Sequence, residues 1–446
     1  MSKLTRRQFG AGIAAAAIAS RAGGSPAWAQ NAPTGAAALA PLEATRRLPR
    51  RYSGQTIKIL SGNDPVSAII GQASNAFAEA TGTRLEFTFV NYADRYQKMM
   101  LDLTSNTGSF DVFNYAYQWK HEVADHLADL ANIDREIEGC PALDLADYPE
   151  KPLAIYGRVG QKLVALPNLG SSTFLIWNKQ AYREAGLNPD SAPENWDQVF
   201  ANAQRLRGGE RYGFNQPAGK SIQTACLWMT LFHAFGGKYF SDAGQPQFDS
   251  APAVRAIAFM AEKLQTVSPP GNLTWDFPEM LNSFATGQST QGFMWPGGFS
   301  TILNPTRSVV SQHLGWRGTP GAALLGGWSV GVNARSRVQD AAKLYAAWLT
   351  SKEVVLRNAV ETGQPCRISA FTDPGLVQRY PHFPAILASL QADIAEYVPI
   401  KEAEQINIII YDEANAACAG MKPPQAAAAD MQEKVVRFMR RRGYLR

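Results

Sequence analysis

The sequence predicts an α/β fold in two lobes. From residue 56 onward, apolar strand-like runs alternate with helically spaced segments, the order that builds βαβ units around a parallel sheet. The pattern restarts in looser form after residue 174. Hydrophobic residues make up 46% of the 446, enough for a large core, and the length suggests two or three domains of roughly 150 residues each. Two lobes joined by more than one strand crossing fit these features better than one sheet.

The ordered part is predicted to begin with a strand at Thr56–Leu60, which runs into the turn residues Ser61-Gly62-Asn63-Asp64-Pro65. Val66–Thr81 carries Ile69, Ile70, Ala73, Phe77 and Ala80 at helical spacing, and Gly82 stops it. Arg84–Val90 alternates as a second strand, Asp94–Thr104 reads as a helix, and Phe110–Phe113 as a short buried strand. Phe174–Trp177 is a further strand. Helices are expected at Lys179–Ala185, Trp196–Arg207, Ala251–Leu264, Met280–Thr286, Ala341–Thr350, Ser351–Glu361 and Asp430–Arg442. Ile222–Ala234 is apolar around most of its circumference, which marks a buried helix.

Residues 1–29 read as an address. Thr5-Arg6-Arg7-Gln8-Phe9 is a twin-arginine pattern, an apolar run follows from Ala11 to Ser20, and Ala27-Trp28-Ala29 is a cleavage site of the A-x-A kind. That run is too short to span a bilayer, which takes about 20 residues. Residues 30–53, rich in Ala and Pro with Arg46, Arg47, Arg50 and Arg51, read as a leader arm or linker. The net charge of +5 belongs mostly to the leader. Its Lys3, Arg6, Arg7 and Arg21 are four of 43 basic residues, which leaves 39 against 38 acidic. A nucleic-acid binder needs a concentrated basic stripe. The one candidate, Arg437, Arg440, Arg441, Arg442 and Arg446, suits a helix C-terminus instead. The first cysteine is Cys140, so no cysteine stands at the cleavage site to take a lipid anchor. Cys140, Cys226, Cys366 and Cys418 form no C-x-x-C pair, which weakens metal and redox readings and leaves disulfides open.

Two motifs bear on catalysis. Gly327-Trp328-Ser329-Val330-Gly331 matches G-x-S-x-G, but that elbow requires a helix directly after the serine, and here a strand continues. His382 is the one histidine downstream that could act as its base. His121-Glu122 with His126 misses the zinc motif H-E-x-x-H, because a five-residue step sets the two rings about 140° apart on a helix. Five stretches instead supply the aromatic rings, the short polar side chains or both that a cleft at strand ends would mix: Asn63-Asp64, Tyr115–Trp119 (with Gln118), Ser171-Ser172-Thr173, Trp295–Phe299 (with Gly298), and Gly327-Trp328. Aromatic faces pack on the C–H faces of sugars while polar side chains bond the hydroxyls.

At these stretches the chain resembles the family 1 extracellular solute-binding proteins of ABC transporters, which include the maltose-type sugar receptors. The resemblance covers nearly all of the chain after about Thr56. Phe110-Asp111-Val112 resembles the family's "pDv" strand. Leu166-Pro167 and Phe174–Lys179 resemble its crossover, with Trp177 in place of a tyrosine. Lys179–Leu187 and Pro193-Glu194-Asn195-Trp196 match "f.kaGl..pP.TWde", with Asn195 for the threonine. Gly292–Phe299, Gly326–Val332 and Gly363–Ser369 resemble later conserved segments of the family. The resemblance implies a two-lobed periplasmic binding protein fold with a hinge and an interlobe ligand cleft. It implies a first lobe of residues 54–170 and 331–372, and a second of residues 171–330 and 373–446. Tyr115 and Gln118 match binding-loop positions, with Trp119 beside them. Ser171 and Ser172 precede the first crossover strand. Phe299 falls near the family's stacking tryptophan, beside Trp295 and Gly298. Gly327 and Trp328 approach from the other side, and Asn63 and Asp64 match the first strand-end loop.

Asp64 has a second reading as the cap of the next helix, and Arg367 either bonds ligand or braces a lobe. The expected function is a periplasmic receptor, monomeric and without cofactor or metal. It closes on a sugar or polyol and presents it to a membrane permease. A receptor for a charged solute (glycerol phosphate or a polyamine) and a serine hydrolase built on Ser329 are the alternatives. An anionic ligand calls for an Arg or Lys in the cleft.

Overall fold

The computed structural model describes residues 42–446 apart from 106, 393 and 446. The expected twin-arginine leader therefore lies outside the described residues. Strand β1 (Thr56–Gly62) buries Ile57, Ile59 and Leu60 and pairs in parallel with β2 (Arg84–Val90), Thr56 opposite Arg84 through Gly62 opposite Val90. On its other side β1 pairs in parallel with β3 (Val112–Ala116). After a small hairpin, β4 (Arg158–Val159) with β5 (Lys162–Leu163), come β6 (Leu166–Ser172), β7 (Phe174–Asn178), β8 (Gln291–Met294), β9 (Leu314–Gly318) and β10 (Leu325–Val332). The first lobe is built on a five-stranded sheet, β2-β1-β3-β10-β6, and the second on an antiparallel sheet, β8-β7-β9.

The helices between β1, β2 and β3 supply the βαβ crossovers. The single helix expected over Val66–Thr81 is two, Pro65–Ala73 and Asn75–Thr81. They part at Ser74, whose hydroxyl donates to the Ile70 carbonyl (2.8 Å) and lies 2.9 Å from the Tyr345 hydroxyl. Gly82, at φ 74°, closes the second helix by donating its N–H to Ala78. In the second lobe Ile222–Ala234 is buried along most of its length, as expected, and packs against two helices that complete this core, Ala403–Cys418 and Ala251–Ala258.

Three boundaries differ from the sequence reading. The leader arm was expected to run to residue 53, but residues 42–53 are folded onto the first lobe. Thr45, Leu48 and Tyr52 recur at helical spacing and are buried, Trp348 donates its indole N–H to Thr45 (2.9 Å), and the four arginines face solvent. Second, β10 and Ser171-Ser172 belong to the five-stranded sheet, because Leu325 pairs with Ser172. Third, Cys366, Ala370 and Phe371, expected in the first lobe, pack into the larger core with Phe383 and Ile386.

The chain leaves the first sheet at Ser172 and enters the second at Phe174, with only Thr173 between. The return pass, residues 319–325, is bonded to the same residue. The Thr173 and Leu324 backbones pair at 3.0 Å, Leu324 N–H also reaches the Thr173 hydroxyl (2.9 Å), and the Thr173 and Thr319 hydroxyls meet at 2.9 Å. A third pass joins at Ala395, which accepts from Leu325 N–H (2.7 Å) and donates to Ala323 (2.9 Å).

Candidate functional site

In open α/β sheets, ligands bind beyond the carboxyl ends of the parallel strands. Here those ends meet the second lobe. Asp64, just after β1, caps the following helix. One carboxylate oxygen accepts from Ser67 N–H (2.9 Å) and the other from the Ser67 hydroxyl (2.8 Å). Helix Tyr92–Ser105 follows β2 and brings Arg95 to the same place. A Cβ on Gly62 would strike the Asp64 carboxylate and lie 3.0 Å from Arg95 Nη1, so the two side chains converge over that glycine.

Arg95 is only 3% exposed. Its guanidinium lies 3.8 Å above the Trp328 ring, and its Nη1 has two long contacts, both 3.5 Å, to the carbonyl and side-chain oxygens of Asn114. Its Nε is buried without a partner. Burial pushes the guanidinium down to about 10, opposed by the charge of Asp64, so it stays cationic at neutral pH.

Tyr92, Trp119 and Trp328 pack together with ring centroids 5.0 to 6.4 Å apart. Across the seam, helix Ala403–Cys418 of the second lobe contributes Glu404. One of its oxygens accepts three bonds, from the Tyr92 hydroxyl (2.9 Å), the Trp119 indole N–H (3.2 Å) and the Asn407 amide (3.3 Å). Gln118 in turn donates to the Tyr92 hydroxyl (2.7 Å). Burial raises the Glu404 carboxyl above its ordinary range, and the Tyr92, Trp119 and Asn407 donors oppose the shift. A second bridge runs from Gln405 to the Tyr96 hydroxyl (2.9 Å) and on to Glu122 (2.8 Å).

On the second-lobe side, Trp295 donates its indole N–H to Gln223 (2.7 Å), and its ring covers Gly326, where any Cβ would collide with it. Ser171 pairs with Gly326 across the sheet. The hydroxyls of Ser171 and Ser172 are buried without partners. Beside Gln118 a cavity of 230 Å³ is lined by Tyr117, Lys120, Ala154, Glu396 and Tyr397, among others. The Lys120 ammonium is spent on the carbonyls of Ala154, Ile155 and Arg158.

Asp64, Gln118, Trp119, Trp328, Ser171 and Trp295 thus gather along the seam, with Asn63 exposed beside Asp64. Four expected positions do not belong with them. Phe299 is 0% exposed in the second-lobe core, stacked on His382 at 4.1 Å and edge-on to Phe174 and Trp316. Gly298 is buried there too, against Met294. Tyr115 alternates to the opposite sheet face from Asn114, and packs with Leu127 in the first-lobe core. Arg367 is a brace. It donates to the carbonyls of Thr350 (2.8 Å), Asp144 (3.0 Å) and Leu143 (2.9 Å), and lies 3.6 Å from Asp147. Gly327 (φ 136°) makes room for the Tyr156 hydroxyl. Ser329 stands mid-strand with its hydroxyl 3.4 Å from the Tyr156 carbonyl, and His382 is caged by aromatics with neither ring nitrogen bonded.

Tyr92, Arg95 and Glu404 were not singled out from sequence. Tyr92 and Arg95 could have been, since they fill the first turn after a parallel strand. Glu404 had only the spacing of Ile406, Ile410, Ala414 and Ala417 to announce its helix.

The family model for bacterial extracellular solute-binding proteins matches residues 61–355. A probable amino-acid ABC transporter periplasmic-binding protein of Sinorhizobium fredii is 53% identical, over 91% of this chain and 94% of its own. The mannitol-binding protein of Pseudomonas aeruginosa is 25% identical, over 87% and 94%. Among solved structures, a solute-binding protein of Agrobacterium radiobacter in complex with ribitol superposes with a TM-score of 0.79 at 24% identity, covering 87% of this chain and 99% of the other. With its two lobes meeting over a polar, aromatic-lined seam, the chain belongs to the bacterial extracellular solute-binding proteins, the periplasmic capture components of ABC transporters.

Proposed function

We propose that the protein captures a small polyhydroxylated solute, of the sugar or polyol class, in the periplasm and presents it to the permease of an ABC importer. Export follows the twin-arginine leader, with cleavage after Ala29. The mature receptor works as a monomer and performs no chemistry on its guest.

The observation that carries this reading is the seam itself. The flat rings of Trp119, Trp328, Tyr92 and Trp295 stand beside Asp64, Gln118, Ser171 and Asn114, the mixture that a ring or chain of hydroxylated carbons requires. The mannitol-binding relative and the ribitol-bound neighbour support the class. A solute touching both lobes binds the closed form better and shifts the lobes toward it. Among the described residues the Ser329 hydroxyl bonds the Tyr156 carbonyl and no histidine or carboxylate, which argues against hydrolysis.

The test is a thermal-shift screen of the mature protein with ribitol, mannitol, sorbitol, maltose and their acid derivatives, followed by calorimetry. Ligand that binds only the native state raises the melting temperature. A rise with at least one compound, abolished by Trp328→Ala, is expected. A flat screen, or esterase turnover that Ser329→Ala removes, would overturn the reading.

A further inference from the structure

We infer that the captured solute carries a carboxylate and that Arg95 is the group that takes it. This rests on the receptor reading above; of the two sources of a carboxylate weighed below, polyol acids stay within its polyhydroxylated class and amino acids would replace that class while keeping the receptor.

The deeply buried cations among the described residues differ in how they are satisfied. A buried charge costs several kcal/mol unless hydrogen bonds and counter-charge offset it. Arg367 has three short carbonyl bonds and a carboxylate at 3.6 Å. Lys120 has three carbonyls. Arg95 is as deep, yet has two contacts at 3.5 Å, both from Nη1 and both to Asn114, and a buried Nε with none. Asp64 is near enough to feel, but it forms no salt bridge with Arg95, and both its oxygens are engaged by Ser67. A guanidinium has five N–H donors in one plane. Trp328 covers its face, which leaves the donor edge as the binding surface. A carboxylate is the group that matches such an edge with two parallel bonds.

The surroundings fit a carboxylate borne on a polar chain. Tyr92, Asn114 and Gln118 stand within the same cluster to bond hydroxyls or an ammonium. Two sources share this chemistry: polyol acids, in line with the polyol-binding relatives, and amino acids, in line with the name of the 53%-identical relative. Either explains why a chain built like a polyol receptor keeps an under-bonded arginine at the seam.

The experiment uses matched pairs on the mature protein by calorimetry: D-gluconate against D-sorbitol, D-ribonate against ribitol, and L-glutamine against L-glutaminol. The acid of at least one pair should bind about 10- to 100-fold more tightly than its alcohol, the range expected of charge-assisted hydrogen bonds. Which pair responds distinguishes the two sources. R95Q should erase most of that ratio. R95K, which keeps the charge but loses the fork, should fall between. The wild-type pairs decide the matter even if a variant folds poorly. If, in every pair that binds, the alcohol does so as well as or better than its acid, this inference is overturned and the capture reading stands. No binding across all six compounds counts against both.

Discussion

Removing the Glu404 carboxylate tests the physical link between the lobes. In Glu404→Ala, the Tyr92 hydroxyl and the Trp119 indole lose their shared acceptor across the seam. Trp119 is 1% exposed, so its N–H has no ready water to turn to while the lobes are together. A buried donor left without a partner costs about 1–3 kcal/mol. Two such donors set a penalty of at least about 2 kcal/mol on the closed arrangement, while in an open one both groups reach solvent. The closing equilibrium should therefore shift by roughly 30-fold or more toward open. Apparent affinity falls by about the same factor, since only the closed state holds the guest on both sides. Calorimetry with the strongest compound from the screen reads the affinity, and small-angle X-ray scattering of the unliganded protein reads the opening. Affinity within threefold of wild type, with an unchanged radius of gyration, would refute the reasoning.

Three further predictions concern stability and shape. His382 is held neutral by burial, pushed down to about 3 from its ordinary 6.5. It takes up a proton on unfolding, so stability is complete above pH 6.5 and lost as pH falls from there toward 3. His382→Phe should gain roughly 2 kcal/mol relative to wild type at pH 5 over its difference at pH 8, and a stability difference between the two proteins that is the same at both pH values would contradict it. Arg367→Met strands three buried carbonyls and should cost about 3–5 kcal/mol in urea unfolding while leaving affinity intact; lost affinity with unchanged stability would return Arg367 to the ligand site. Gly326→Ala should displace the Trp295 ring, costing about 1–3 kcal/mol and altering the near-ultraviolet circular dichroism, and an unchanged spectrum would show that the ring does not lie there.

The two-lobed architecture was legible because strand alternation and helical spacing are local. Thr56–Leu60, Arg84–Val90 and Ile222–Ala234 needed no knowledge of distant residues. Errors appeared where a distant partner decides. The helix is interrupted at Ser74, where the hydroxyl that donates to Ile70 also meets the Tyr345 hydroxyl of a distant helix. Trp295 and Phe299 are both aromatics beside glycines, yet one lies over a bare backbone at the seam and the other fills a core. Only the packing of Phe174, Trp316 and His382 separates them. The position of Arg95 after a strand is readable in sequence, but nothing local says that it is buried. Its burial follows from Trp328, more than two hundred residues later, lying flat against it.

The one-residue passage at Thr173 has a mechanical consequence. Three segments laced side by side through Thr173, Leu324 and Ala395 resist stretching and sliding, because either would break several short backbone bonds at once. Bending remains as the soft coordinate. Any movement of one lobe against the other is then a change of angle rather than of separation, with the three passes acting as a single flexure.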